Sequence, residues 1–180
     1  RRAESPEGWT WHGIGHLQRN KAREAISTFD VFHALDTLRL ANRLEAVLAD
    51  AERIWPVYVQ VNAAEDPAKG GFRVEDVRET LEALARLPHI RPIGFMTMAR
   101  LGALEHDARA TFRTLRDVRD DAVRLGIGDT APSGLSMGMT DDFELAVQEG
   151  ATIVRVGRAA FADVSMDGPA ARRAQEEERA

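Results

Sequence analysis

Residues 135–158, LSMGMTDDFELAVQEGATIVRVGR, constrain the fold more than any other stretch of the chain. An apolar strand runs into a turn at Gly138, a short helix follows and stops at Gly150, and a second, β-branched strand runs into a turn at Gly157. A strand–helix–strand unit of this length reads as two neighbouring parallel strands joined by a right-handed crossover. Both glycine turns then fall at the same end of the sheet, where their backbone N–H groups can hold a small anion. A phosphate-bearing ligand is the expectation.

The same alternation runs upstream. Strand-like segments occupy 9–14 (WTWHGI), 29–35 (FDVFHAL), 57–61 (VYVQV), 90–96 (IRPIGFM), 134–136 (GLS) and 152–156 (TIVRV). Apolar stripes at helical spacing lie between them. Leu38, Ala41, Leu44, Val47 and Leu48 form one, and Val74, Val77, Leu81 and Leu84 a second. Leu104, Ala108, Phe112, Leu115, Val118, Ala122 and Leu125 form a third, ended by Gly126 in a C′ position. Asp141 with Glu144 three residues on reads as a capping box for the helix that Gly150 ends.

An α/β chain of this pattern can close into a (β/α)8 barrel or open into a doubly wound sheet. Gly13 and Gly15 give only G-x-G after the first strand, without the dinucleotide fingerprint that would favour the open sheet. The expected fold is therefore a (β/α)8 TIM-type barrel, here missing its first two β/α units, since such a barrel has eight units of about 30 residues and six are visible. Six staves alone would leave two open edges, so a fragment or a mis-set start is the expected explanation. Residues 1–163 form the expected barrel domain and 164–180 a polar, charge-rich tail.

Composition narrows the partners. A net charge of -5 disfavours a nucleic-acid surface, which needs a basic face. No apolar run approaches the length of a membrane span. The absence of cysteine removes disulfides and thiolate metal sites. No metal site is expected, and a cytoplasmic location is. Of 24 basic residues only Lys21 and Lys69 are lysines, so chemistry that needs a lysine has two candidates.

Ser136 offers a hydroxyl at the end of its strand, and Gly138 lets backbone approach a phosphate closely. Asp141 and Asp142 repel an anion and read as helix caps. Arg155 stands between Val154 and Val156 in a strand of the barrel wall, where an unpaired guanidinium is costly. It needs a carboxylate or a ligand. Gly157 and the N–H of Arg158 read as the second half of an anion cradle.

Residues 11–21, WHGIGHLQRNK, resemble the W-H-x-I-G-x-L-Q-x-N-K signature of the pyridoxal phosphate homeostasis protein family. Residues 135–161 resemble that family's second signature, and QVN at 60–62 through KGG at 69–71 fits its pattern. The resemblance spans nearly the whole chain. It implies an alanine racemase-like barrel that binds pyridoxal 5′-phosphate (PLP), buffers and delivers that cofactor, and has no turnover reaction. It places Ser136, Gly138, Gly157 and Arg158 at the phosphate and Arg155 at the pyridine nitrogen, with His12, Ile14 and Met96 as ring or wall contacts.

The family's Schiff-base lysine follows an apolar-x-Ser context, and this chain has no such segment. No catalytic residue is therefore assigned. Lys21 belongs to the signature helix, and Lys69 reads as a solvated loop lysine. The expected partners are PLP and the apo-enzymes that receive it, with the protein a monomer. The alternatives are a PLP-dependent racemase or decarboxylase and a PLP-free barrel enzyme acting on a phosphorylated metabolite. The racemases add a β-rich domain with a tyrosine base, whereas the one tyrosine here, Tyr58, lies mid-strand.

Overall fold

Short β-branched and aromatic segments pair in parallel, each beside the one that precedes it in the chain. A computed structural model describes residues 8–126 and 132–157. Its strands are β1 (His12–Gly13), β2 (Val31–Leu35), β3 (Trp55–Gln60), β4 (Ile90–Met96), β5 (Gly134–Met139) and β6 (Ile153–Arg155). They form one sheet in the order β1-β2-β3-β4-β5-β6. The helices are α1 (Ala22–Thr28), α2 (Leu38–Asp50), α3 (Val77–Leu84), α4 (Glu105–Leu125) and α5 (Phe143–Gln148).

Strand order decides between the two architectures. A doubly wound sheet reverses its order once, which sends helices to both faces. This order never reverses, so crossovers of one hand put every helix on one face and curl the other inward. The described residues form a six-strand parallel part of a TIM-type barrel.

The two faces have opposite chemistry. On the helix side Phe32, Trp55, Val57, Val59, Phe95, Leu135 and Met137 are buried in one cluster with Leu44, Leu48, Leu84, Phe112 and Leu115. Phe32 and Trp55 stack with ring centroids 5.4 Å apart, and Trp55 Nε1 donates to the Phe29 carbonyl. Tyr58, Gly94 and Gly134 lie in register on the other face, as do Gln60, Met96 and Ser136. That inner face is polar.

Several element ends differ from expectation. The first strand shrinks to His12–Gly13 because the Trp11 N–H is taken by the Asp30 carboxylate at 2.8 Å. Phe29 belongs to the end of α1, its N–H bonding the Ala25 carbonyl, so β2 starts at Val31. The capping box at Asp141 does not form. Asp142 stands at the N-cap of α5, and its carboxylate turns back to accept from the Met139 N–H at 2.6 Å. At the other end of α5, Glu149 is buried and accepts from Arg109, Arg113 and Arg116 of α4. The adjoining guanidiniums, Arg113 first, hold its carboxyl below the usual range.

Candidate functional site

A hydrogen-bonded chain crosses the inner face. His12 Nδ1 lies 2.7 Å from His33 Nε2, and His33 Nδ1 lies 2.8 Å from Ser136 Oγ. Arg155 Nη1 donates to the same Ser136 oxygen at 2.7 Å, and Nη2 donates to the Thr97 carbonyl at 2.9 Å. Thr97 is anchored in turn, its hydroxyl donating to the Val61 carbonyl at 2.8 Å. The alternating pleat and parallel register of β1, β2, β5 and β6 aim these side chains inward.

Burial sets the electrostatics. His33 is 1% exposed and stacks on Tyr58 with centroids 4.4 Å apart. Burial first, then the His12 and Arg155 charges, lower its pKa to about 4. It is neutral at physiological pH. Burial also pushes the Tyr58 phenol up and the Arg155 guanidinium down. Arg155 makes no ion pair among the described residues, and the Ser136 hydroxyl and Thr97 carbonyl that accept from it are neutral oxygens.

The Tyr58 ring is seated by two glycines. A Cβ on Gly94 would stand 2.3 Å from the Gly134 carbonyl oxygen and 2.6 Å from Tyr58 Cε1. A Cβ on Gly134 would stand 2.9 Å from Tyr58 Cε1 and from its hydroxyl. The strands approach closely there because neither residue has a side chain.

Beyond this layer, at the C-terminal ends of β4, β5 and β6, lies a cleft of about 760 Å³ lined by Met98, Met139, Thr140, Asp142 and Gly157, with Lys69 at its rim. A Cβ on Gly157 would meet nothing within 4 Å among the described residues, and that turn lines the cleft. Gly138 has a different task. With φ +90 it lets α5 pack on the end of β5, where a Cβ would stand 2.5 Å from Ala146 Cβ.

The expected site residues are thus divided. Ser136, Arg155 and His12 meet through His33, and Met96 is buried beside them, in register with Ser136. Ile14 lies past the end of β1 and is 60% exposed. Arg158 lies outside the described residues, as do residues 158–180. Lys69 is not the solvated loop lysine expected: half-buried, it donates to the Ala99 carbonyl and joins loop 62–71 to the loop after β4. Lys21 is exposed and paired with Glu24.

His33, Tyr58, Thr97, Met98 and Thr140 were not singled out from the sequence as site residues. Thr140 carried a signal, since a hydroxyl directly after the β5 glycine turn suits an anion. Among the described residues no cluster of His, Asp and Glu is arranged to hold a metal ion. No described helix is long and apolar enough to cross a membrane.

Strand order and inner face together define the barrel class to which the N-terminal domain of alanine racemase belongs. A family model described as alanine racemase, N-terminal domain, matches residues 8–164. The chain belongs to the pyridoxal phosphate homeostasis protein family within that class. It is 36% identical over 153 residues to the pyridoxal phosphate homeostasis protein of Aquifex aeolicus, covering 85% of this chain and 66% of that protein. PipY of Synechococcus elongatus without PLP superposes with TM-score 0.81 at 36% identity, covering 87% of this chain and 72% of PipY. PipY with PLP bound gives 0.77 at 36% identity, covering 84% and 70%. An alanine racemase of Clostridium difficile shares the fold alone, with TM-score 0.66 at 15% identity over 81% of this chain and 37% of the racemase. The chain spans about two thirds of the length of the curated relative.

Proposed function

We propose that this protein binds pyridoxal 5′-phosphate reversibly, buffers it in the cytoplasm and passes it to apo-enzymes, with no turnover reaction and as a monomer. One observation carries the reading: a half-buried arginine, hydrogen-bonded to neutral oxygens, stands two residues before a glycine turn that lines a cleft. A relative of similar fold, PipY, has a structure with PLP bound, which supports the choice of ligand.

The residues fit the cofactor. The phosphate would be held at the ends of β5 and β6 by the Thr140 hydroxyl and the Gly157 backbone N–H, with Arg158 kept as a candidate from its sequence position alone. Gly138 shapes that cradle by letting α5 close on β5. Ser136, whose oxygen already serves His33 and Arg155, acts behind the phosphate by holding Arg155. Met98 and Met139 would give the ring apolar walls, while His12, Ile14 and Met96, none of which lines the cleft, remain proposed ring or wall contacts.

Arg155 would face the pyridine nitrogen. A guanidinium only donates, so it would keep that nitrogen unprotonated and weaken the ring as an electron sink. When bound, PLP supplies an aldehyde that condenses reversibly with amines. Lys21 and Lys69, both engaged elsewhere, are not proposed as its partner.

The test compares PLP with pyridoxal, its phosphate-free form, by absorbance titration of the full-length protein. PLP should bind at least tenfold more tightly, as one or two charge-assisted hydrogen bonds require, in round numbers. Equal affinities would remove the phosphate cradle from the proposal.

A further inference from the structure

We infer that His33 is a positioning residue for Arg155, acting through the Ser136 hydroxyl in one fixed tautomer. The hydrogen count of the buried chain leads to this. Ser136 is 0% exposed, and its side chain touches two polar partners among the described residues, His33 and Arg155. Arginine can only donate. One lone pair of Ser136 Oγ is therefore taken by the guanidinium.

Two arrangements remain for the other contact. If His33 carried its proton on Nδ1, it would donate to Ser136, and the serine hydrogen would have no acceptor in a dry interior. That stranded donor is the costly outcome for a buried polar group. If His33 carries its proton on Nε2, the Ser136 O–H donates to Nδ1 and every group is satisfied. Nε2–H then donates to His12 Nδ1, 2.7 Å away.

The chain then runs in one direction, from Arg155 to Ser136, from Ser136 to His33 and from His33 to His12. Each donor is polarised by the bond before it, which strengthens the series. Tyr58, stacked on the imidazole from β3, fixes the ring plane and so the direction in which Nδ1 points. The charged or titratable groups around His33 are His12 on β1, Tyr58 on β3 and Arg155 on β6, and none of them is a carboxylate. A neutral imidazole suits such surroundings. With its hydroxyl hydrogen drawn to His33, Ser136 presents its lone pairs to Arg155 and fixes one arm of the fork, while the Thr97 carbonyl fixes the other.

The consequence for PLP rests on the reading that Arg155 faces the pyridine nitrogen; the tautomer does not. The experiment separates them. In the full-length protein labelled with ¹⁵N, His33 should show a pyridine-like Nδ1 and a protonated Nε2, and a proton on Nδ1 overturns the inference. The Arg155 side-chain N–H signals, slow to exchange in the wild type, should vanish in His33→Leu and persist in His33→Asn, whose Oδ1 can replace Nδ1 as acceptor. Signals unchanged in His33→Leu also overturn it. Should His33→Leu fail to fold, Ser136→Ala removes the same link, and persistence of the Arg155 signals there overturns it equally. Affinity for PLP should fall about tenfold in His33→Leu and stay within about twofold in His33→Asn, as expected for one neutral hydrogen bond. Lost Arg155 signals with unchanged PLP affinity would support the positioning role and sink the placement of Arg155 at the ring.

Discussion

The Arg155 guanidinium donates to the Ser136 hydroxyl oxygen at 2.7 Å, across the β5–β6 pair. This contact joins the two strands of the second signature segment, and both hydrogen-bond acceptors of the cation are neutral oxygens, with the Asp142 carboxylate acting on it only through its charge. The fork matters as much as the charge, because the second arm reaches the Thr97 carbonyl on the far side of β5.

Arg155→Lys keeps the charge but offers one ammonium in place of two divergent N–H arms. It should weaken PLP binding roughly tenfold, the size of one lost hydrogen bond to a charged group. Titration of the full-length variant by cofactor absorbance checks this. Binding equal to the wild type would remove Arg155 from the site.

Two glycines should respond in opposite ways to alanine. At Gly94 the new methyl would stand 2.3 Å from a backbone oxygen of β5, which cannot move without parting the strands. The cost should be about 3 kcal/mol or more, at the high end for overpacking. At Gly157 the methyl meets nothing within 4 Å among the described residues, and stability should change by less than about 0.5 kcal/mol. Yet Gly157→Ala should weaken PLP binding by crowding the phosphate turn. Denaturant melts and cofactor titration of both variants give the contrast, and a Gly157→Ala variant that binds PLP normally would count against the cradle.

The strands and helices were legible wherever one residue pattern served one physical end. The strand at 90–96 and the α2 and α4 stripes follow from side chains that must all reach one apolar layer. Gly126 ends α4 in the left-handed conformation, φ 62, as its position required. Barrel against open sheet was legible only in part, because strand order is a property of pairing and not of any segment. The candidate site was legible where a turn glycine or a lone charge in an apolar strand stood out, as at Gly157 and Arg155. His33 did not stand out. In VFHAL it looks like any core histidine, and its partner Ser136 lies 103 residues away. Tyr58 was noted only as a mid-strand tyrosine, since the space for its ring comes from glycines on two other strands.

Lys69 supplies a test of loop coupling. Its ammonium donates to the Ala99 carbonyl, and Arg100 donates to the Glu65 carbonyl at 3.0 Å, so the loops after β3 and β4 are tied twice. Lys69→Met keeps the apolar stem and removes one tie. Global stability should change by less than about 1 kcal/mol, as for a half-exposed contact. Hydrogen exchange at 98–103 should nevertheless quicken, because local opening costs less than global unfolding. Unaltered exchange in that loop would show that the Arg100 and Thr97 contacts hold it without Lys69.

His33 gives the fold a pH dependence whose sign is fixed. Its pKa is about 4 in the folded chain, against an ordinary value of 6.5. Between those values the unfolded chain binds a proton at this position and the folded chain does not, so stability falls as pH falls from 6.5 to 4. The contribution is complete above the upper value and exhausted below the lower one. Its size should be on the order of 2 kcal/mol, less than the full shift because water at the exposed His12 screens the end of the chain. Carboxylates also titrate near the lower limit, so the measurement is a difference. Wild type and His33→Asn are unfolded with denaturant at pH 7 and at pH 4.5, and the wild type should lose more stability over that interval. Equal losses would show that His33 takes up its proton as readily in the folded chain as in the unfolded one, although that proton on Nδ1 leaves the Ser136 hydroxyl hydrogen without its acceptor.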